Sequence, residues 1–174
     1  MSVYRGSEAA SYLGAGAVAH MMRNAAMKSY AYLDLAMISI SDDGAGQPGT
    51  GALTMSGSAS PRGVVSLWVG NTRVDVAVSA TDTPAIIAAA LVTAITNLPG
   101  LPVTPAVNAG VLTLTAQNKG LAGHAIPLRA QATATGVTTA VTAMTKGDVN
   151  ADLTAALSPV AGGGPNLLIR PFPA

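Results

Sequence analysis

The stretch that decides the fold is SLWVGNTRVDVAVSATDTPAIIAAALVTAI, residues 66–95, in which a strand pattern gives way to a helix pattern. Its first half alternates, and Val74, Val76 and Val78 fall on one face of the second run. Gly70-Asn71 separates the two runs and suits a tight two-residue turn that needs positive φ. This half therefore predicts a β-hairpin with one buried face.

The second half of the stretch predicts a single amphipathic helix. Thr83 is placed to cap its first turn, Pro84 suits the first helical position, and Asp82 suits the positive end of the helix. Leu98-Pro99-Gly100 ends it. The helix would lay one apolar stripe on a sheet face, formed by Ile86, Ile87, Ala90, Leu91, Ala94 and Ile95.

The segments around this stretch carry the pattern of an antiparallel sandwich. SDDGAGQPGTG, residues 41–51, is turn chemistry throughout and marks a boundary. After it, LTMSGSAS, GVLTLTAQ and TTAVTAMT are short alternating runs separated by glycine or asparagine. We therefore predict a β-sandwich with one packed helix over residues 46–147.

The two ends of the chain have a different texture. AVAHMMRNAAMKS, from Ala17, predicts a helix with Val18, Met21, Met22 and Ala25 on one face, and residues 32–40 are apolar on both faces, which is typical of a covered parallel strand. At the other end Asn150 suits the cap of a short helix, ADLTAALSPV, and NLLIRPF predicts a strand. The expected fold class is α+β: an antiparallel sandwich inserted into a partial α/β layer formed by residues 1–45 and 148–174.

Composition excludes several classes of function. The chain has 174 residues, 49% hydrophobic and 10% charged, a formal net charge of +1 and no cysteine. Lysine and arginine occur singly, so no basic stripe is present to neutralise a nucleic-acid backbone. The N-terminus lacks the pattern of a signal peptide and no apolar run is long enough to cross a bilayer, so we expect no membrane association. A net charge near zero favours a subunit of a larger assembly.

Two short motifs resemble binding sites. Gly14–Ala19, GAGAVA, matches the glycine pattern of a dinucleotide fold, with Asp34 at a suitable distance, but that motif needs a preceding strand and SEAASYL is a poor one. A flexible connection to the helix is favoured. Asp42-Asp43-Gly44 offers oxygens to a cation, but the remainder of a calcium loop is missing, and a solvated turn is favoured.

The remaining candidate residues do not form a recognisable site. His20 and His124 have no partner at ligand spacing, so surface or partly buried positions are expected. Trp68 is expected in the core or at an interface, and Arg73 with Asp75 on a solvated face. We predict no catalytic, cofactor-binding or metal-binding residue and no enzymatic activity.

The order of these segments resembles the Mu-like branch of contractile bacteriophage tail sheath proteins. The hairpin is followed by the family's turn, strand and glycine-containing segment, with His124 in place of the usual asparagine. The resemblance extends to Gly14-Ala15-Gly16, to YLDLAMISISDD and to NADLTAALSPV. The matching residues in the centre are Asp82-Thr83, Leu101-Pro102-Val103-Thr104, Asn118-Lys119-Gly120 and Gly123.

The resemblance implies a structural virion protein and no enzyme. It implies a sandwich that decorates the sheath, an α/β core that contacts other sheath subunits and the tail tube, and contraction of the assembly during injection. It places the protein in the virion tail, assembled in the host cytoplasm, with much of the core and a C-terminal arm beyond this chain, so we expect a fragment. The alternative is a stand-alone β-sandwich binding or adhesion module, which needs an exposed aromatic cluster or a polar pocket.

Overall fold

A computed structural model describes residues 6–30, 35, 37–38 and 40–154 of the chain. Its helices are α1 (Gly6–Leu13), α2 (Val18–Ser29), α3 (Pro84–Thr96) and α4 (Leu121–His124). Its strands are β1 (Pro48–Ser56), β2 (Gly63–Val69), β3 (Thr72–Val78), β4 (Val103–Asn108), β5 (Val111–Lys119), β6 (Leu128–Ala132) and β7 (Thr138–Thr145).

The strands form two antiparallel sheets. The larger has the order β4-β5-β1-β7 and the smaller the order β3-β2-β6. The sheets contact each other where β6 lies against β7, and α3 contacts both β3 and β4, the edge strands on the other side. The helix therefore fills the side that the two sheets leave open, and the predicted α+β sandwich with one packed helix is confirmed.

The core lies between the two sheets and α3. Along β3 the buried and exposed positions alternate as predicted, with Val74, Val76 and Val78 buried. Every other residue of a strand points to the same face, so each sheet contributes one row of apolar side chains per strand. The largest fully buried side chains are Leu53, Leu67, Ile87, Leu91, Ile95, Leu112, Leu114, Val65 and Val69.

The hairpin between β2 and β3 has the predicted two-residue turn. Val69 pairs with Thr72, so only Gly70 and Asn71 lie between the strands. Gly70 has φ 60°, in the left-handed region that favours glycine. Glycine at the first central position is the pattern of type II′ turns, whose twist matches that of the strands.

The start of α3 is predicted correctly, but its capping is not. Pro84 occupies the first turn and Thr83 is the N-cap residue, yet the Thr83 side chain makes no capping hydrogen bond. The Asp82 carboxylate instead accepts the backbone N–H of Ser79 at 2.7 Å. Asp82 therefore stabilises the turn before the helix, because a short acidic side chain bonds readily to nearby backbone amides.

The buried face of α3 is rotated relative to the predicted stripe. Ile87, Leu91 and Ile95 are buried as expected, but Ile86 is 54% exposed and Ala88 is fully buried. Ala90 and Ala94 are only partly buried against the core. Because the helix lies close to the two edge strands, the small side chain of Ala88 fits on its buried face.

The N-terminal segment differs more from expectation. Helix α1 was not predicted, and the buried residues of α2 are His20 and Arg23. Of the predicted stripe on α2, Ala25 is exposed and the others are partly buried. Within the predicted strand at residues 32–40, the described residues 35, 37, 38 and 40 are not in a strand, and the others lie outside the described residues. Residues 155–174, which include the strand predicted near the C-terminus, also lie outside them.

The position of α3 predicts the effect of two truncations on one helix. Leu91→Ala removes a fully buried side chain and should lower the free energy of unfolding by about 2–5 kcal/mol. Ile86→Ala on the exposed side should change it by less than about 0.5 kcal/mol. Chemical denaturation measures both. Equal losses would contradict the observed orientation of α3.

Candidate functional site

The sandwich joins the rest of the chain at a polar junction, which comprises residues 42–47, 118–124 and 146–150. Gln47 and Asp148 form an antiparallel bridge there. The Gln47 N–H donates to the Asp148 carboxylate at 2.9 Å, and the Asp148 N–H donates to the Gln47 carbonyl at 3.4 Å. The incoming and returning segments of the chain, 101 residues apart, therefore lie side by side.

Asn118, near the end of β5, links two parts of the N-terminal segment. Its Oδ1 accepts the backbone N–H of Val18, the first residue of α2, at 2.9 Å. Its Nδ2 donates to Asp42 Oδ1 at 3.3 Å. One amide side chain thus serves as acceptor for the helix and as donor for the incoming segment.

Lys119 uses both its backbone and its side chain at the same place. Its N–H donates to Asp42 Oδ2 at 2.9 Å, and its Nζ donates to the carbonyls of Asp43 and Gly44 at 3.3 and 3.2 Å. The oxygens that a cation would need are therefore bound by groups of the chain itself. Asp42 and Asp43 are both half-buried, and the Asp43 carboxylate accepts the Ala45 N–H at 2.7 Å, so both carboxylates are bonded within the chain and the loop is less solvated than expected.

Gly120 allows the returning segment to approach. Its N–H donates to the Gln47 carbonyl at 3.1 Å, its φ is 90°, and a Cβ there would lie 2.7 Å from Asn150 Oδ1. That Oδ1 accepts the N–H of Leu121, the first residue of α4, at 2.9 Å. Asn150 therefore caps α4 and not the helix predicted to follow it, which is a correction to the sequence analysis.

Asp152 takes the role expected of Asn150. Its Oδ1 accepts the backbone N–H of Thr154 at 2.9 Å, where a helical residue begins. Hydrogen bonds from the side chain and backbone of Thr154 lower the pKa of the Asp152 carboxyl. The rest of the segment predicted to form this helix lies outside the described residues.

The glycine motif Gly14–Ala19 comprises the connection between α1 and α2, residues 14–17, and the first two residues of α2. A helix precedes it where a dinucleotide fold requires a strand, so the dinucleotide interpretation is not supported by the geometry. The connection is also packed, since Gly16 is buried with φ 81° and a Cβ there would overlap the Leu101 carbonyl. Asp34 lies outside the described residues.

The two histidines lie in different environments. His20 is 8% exposed, its Nδ1 accepts the Gly16 N–H at 3.1 Å, and its Nε2 lies 3.1 Å from Asn24 Nδ2. His20 is thus a buried structural group that closes the α1–α2 connection, and the expectation of a surface or partly buried position is wrong. His124 is exposed, as expected.

Trp68 lies on the outer face of the smaller sheet and not in the core. Cross-strand pairing places it beside Arg73 of β3 and Arg129 of β6. Their guanidinium carbons lie 5.2 and 4.4 Å, respectively, from the ring centroid of Trp68. These distances are within the range of cation–π contacts. Of the two expected positions, core or interface, the core is therefore excluded.

Arg73 and Asp75 form an ion pair on the same face. Arg73 Nε lies 2.7 Å from Asp75 Oδ1, and the two side chains are 54% and 46% exposed, which confirms the predicted solvated face. Arg73 Nη2 also donates to Ser66 Oγ at 3.1 Å. Hydrogen bonding with Ser66, and then with Arg73, lowers the pKa of the Asp75 carboxyl, so this carboxylate is ionised at neutral pH.

The described residues include no cluster of metal ligands. Within them, no three His, Cys, Asp or Glu side chains converge as metal ligands. A shallow depression on the outer face of the larger sheet is lined by threonine, glycine and alanine with Lys146 as its single titratable group. In the same part of the chain, no helix has the length and apolar character needed to cross a membrane.

Comparison with known proteins identifies one relative over most of the chain. The chain is 30% identical over 145 residues to the Mu-like prophage FluMu tail sheath protein of Haemophilus influenzae. The matched region is 80% of this chain but spans only 30% of the length of that relative. No protein-family model matches the chain. The resemblance to Mu-like tail sheath proteins predicted from the sequence is confirmed.

The Gly16 contact predicts a difference between two glycines with the same backbone conformation. Gly14 and Gly16 have φ 80° and 81°, but a Cβ at Gly14 would meet only the Ala17 Cβ at 3.7 Å. Gly14→Ala should cost about 1–2 kcal/mol from the left-handed conformation alone. Gly16→Ala should cost more, because the Leu101 carbonyl must also move. Hydrogen exchange of the α2 amides measures the difference; equal protection in the two variants would contradict the close packing.

The bond between Asp42 and Asn118 predicts energetic coupling. In a double-mutant cycle, Asp42→Ala and Asn118→Ala should be coupled by about 1 kcal/mol, because directly bonded residues are not independent. Asp43→Ala with Asn118→Ala is the control, since the Asp43 carboxylate bonds to Ala45, and it should couple by less than about 0.5 kcal/mol. Chemical denaturation of the single and double variants measures both values. Similar coupling in the two cycles would overturn the specific role of Asp42.

Proposed function

We propose that this chain, a relative of the Mu-like tail sheath proteins, is a structural part of a phage or prophage contractile tail sheath subunit. In this proposal residues 46–147 are a sandwich domain inserted into an α/β layer. Residues 1–45 and 148–174 contribute to that layer, and other parts of the subunit complete it. The observation that carries the proposal is the side-by-side arrangement of Gln47 and Asp148, together with the match to a tail sheath protein.

An inserted domain must begin and end at the same place. If the two crossing segments were far apart, the layer that receives the domain would have to be split open. Here Gln47 and Asp148 are bonded to each other, the incoming segment is bonded to the end of β5, and the returning segment is bonded to the first residue of α4. The insertion therefore requires only a local gap in the receiving layer. This arrangement supports domain boundaries near residues 46 and 147.

The density of bonds at the junction supports a mechanical role. Asn118, Lys119 and Gly120 each bond to a segment that is distant in sequence. A domain attached by one flexible linker would move independently, whereas a domain held by several bonded segments moves with its support. In a contracting sheath, the sandwich would then follow the subunit as a rigid body while contacts between subunits rearrange.

The proposed partners are other sheath subunits and the tail tube, in a virion tail assembled in the host cytoplasm. Head-to-tail contacts that do not close into a ring generate the helical lattice of such an assembly. The formal net charge of +1 does not oppose close approach of identical copies. No nucleic-acid or membrane partner and no catalytic activity form part of the proposal.

The alternative, a stand-alone binding or adhesion module, has less support in the geometry. A sugar-binding sandwich commonly presents the face of an exposed aromatic ring, and Trp68 is the only tryptophan in the chain. Its ring is flanked by Arg73 and Arg129, so a sugar would have to displace a guanidinium before it could stack. This observation favours the structural role.

Antibody labelling of tail particles tests the proposal. Antibodies raised against the sandwich should label the full length of extended tails released by the host that encodes this chain, at intervals set by the sheath lattice. Antibody preadsorbed with the purified chain is the control. Label confined to the baseplate, the fibres or the tip of the tube would contradict the sheath role, and so would unlabelled sheaths alongside soluble antigen.

A further inference from the structure

Three residues form a row across the outer face of the smaller sheet. Arg73, Trp68 and Arg129 are direct cross-strand neighbours on β3, β2 and β6, and we call them the arginine row. Since β3 and β6 lie on opposite sides of β2, the two guanidinium groups reach the indole ring from opposite sides. The row is therefore a preformed stack, because stacking on an aromatic ring restricts the rotamers of arginine.

The two guanidinium groups in this row differ in what they bind. Arg73 donates to Asp75 and to Ser66, so its charge and part of its donor capacity are used within the face. Arg129 is exposed, and among the described residues its guanidinium has no hydrogen-bond acceptor or carboxylate partner, only the Trp68 ring. A guanidinium presents up to five N–H donors in a planar fork. The row thus holds one oriented cation whose donors face solvent.

The geometry points to the arginine row as a docking site for an acidic segment of another protein. Planar, bidentate recognition of carboxylates is the chemistry for which a stacked arginine is suited. Tryptophan and arginine are also the residue types that dominate binding energy at protein interfaces. The partner contributes one or two Asp or Glu side chains that bind Arg129 from the solvent side, beside the indole edge.

The charge of the face favours a protein carboxylate over other anions. A nucleic-acid backbone requires several cations along its length, whereas the unpaired charge of this row is concentrated at Arg129. An acidic polysaccharide would gain from stacking on Trp68, but the guanidinium groups occupy that position. A single carboxylate matches both the size and the charge of the site.

The described carboxylates of the chain itself argue against a second copy as partner. Each of them already takes part in an interaction within the chain, with which binding to Arg129 of a neighbouring copy would have to compete. These residues are Glu8, Asp42, Asp43, Asp75, Asp82, Asp148 and Asp152. The acidic group is therefore expected from a different protein.

The row lies at the end of the sandwich nearest the junction. β5 ends there at Lys119, α4 follows, and β6 begins at Leu128, with Arg129 next along the strand. A partner bound at the row would therefore contact the base of the sandwich rather than its far turns. The inference does not depend on the proposed sheath role, since it concerns only binding at this face.

The single tryptophan provides a direct measurement. Trp68 fluorescence of the full chain is titrated with poly-L-glutamate at low salt, with poly-L-lysine as the charge-reversed control. We expect a saturable change with poly-L-glutamate only, and weaker binding as sodium chloride is added, because exposed charges are screened by salt.

Three variants test whether Arg129 is the determinant. Arg129→Gln should raise the half-saturating concentration of poly-L-glutamate about fivefold, the upper range for an exposed ion pair. Lys28→Gln removes the same charge from the exposed end of α2 and should leave binding unchanged. Arg129→Lys keeps the charge but loses the planar fork, and should bind about as weakly as Arg129→Gln. Thermal unfolding of each variant shows whether the fold is retained.

Several outcomes would overturn the inference. One is an absence of any response of folded protein to poly-L-glutamate. Another is equal weakening by Arg129→Gln and Lys28→Gln, or full binding by Arg129→Lys, since either would reduce the effect to net charge. Tighter binding of polyuronate or of double-stranded DNA at equal charge concentration would assign the row to a different class of partner.

Discussion

The structure depends on the hydrogen bonds made at the end of β5, because consecutive residues there bond to segments far away in sequence. Asn118 holds the start of α2, Lys119 holds the loop at residues 42–44, and Gly120 holds Gln47 beside Asp148. A shift of β5 by one residue would unpair all of them at once. Each half-buried polar group left without a partner costs about 1–3 kcal/mol, so the register of β5 and the position of both crossing segments are determined together.

The arrangement of the sandwich follows from a core built largely of medium and small side chains. The two sheets adjoin at β6 and β7, and α3 fills the other side, so the sheets need not close into a barrel. The outer edge of β4 carries Pro105, which lacks the N–H that a further strand would need. The helix and the proline together protect the strand edges that a sandwich of this size would otherwise expose.

Patterns of period two and the glycine turn made the sandwich predictable, because they are local in sequence. The alternation in β3 and the turn at Gly70 were recognisable for this reason. The buried face of α3 was not predictable in the same way. Alanine is compatible with a buried or an exposed position, so the sequence does not indicate that Ala88 is buried. The burial of His20 was missed because its partner is the Gly16 backbone. Hydrogen bonds such as that between Asn118 and α2 produce no periodic pattern in the sequence. Asn118, Lys119 and Gly120 are nevertheless among the residues that resemble tail sheath proteins.

The low charge content of the chain acquires a structural explanation from these contacts. Acidic side chains are used for internal connections: Asp42 and Asp148 hold the junction, Asp82 holds a turn and Asp75 holds Arg73. A carboxylate bonded to neutral amides keeps its charge, whereas the charge of Asp75 is compensated by its ion pair with Arg73. The exposed Arg129 guanidinium therefore lies on a face with little competing negative charge. A modest number of charges is then sufficient to give this face of the sandwich a preference for acidic groups.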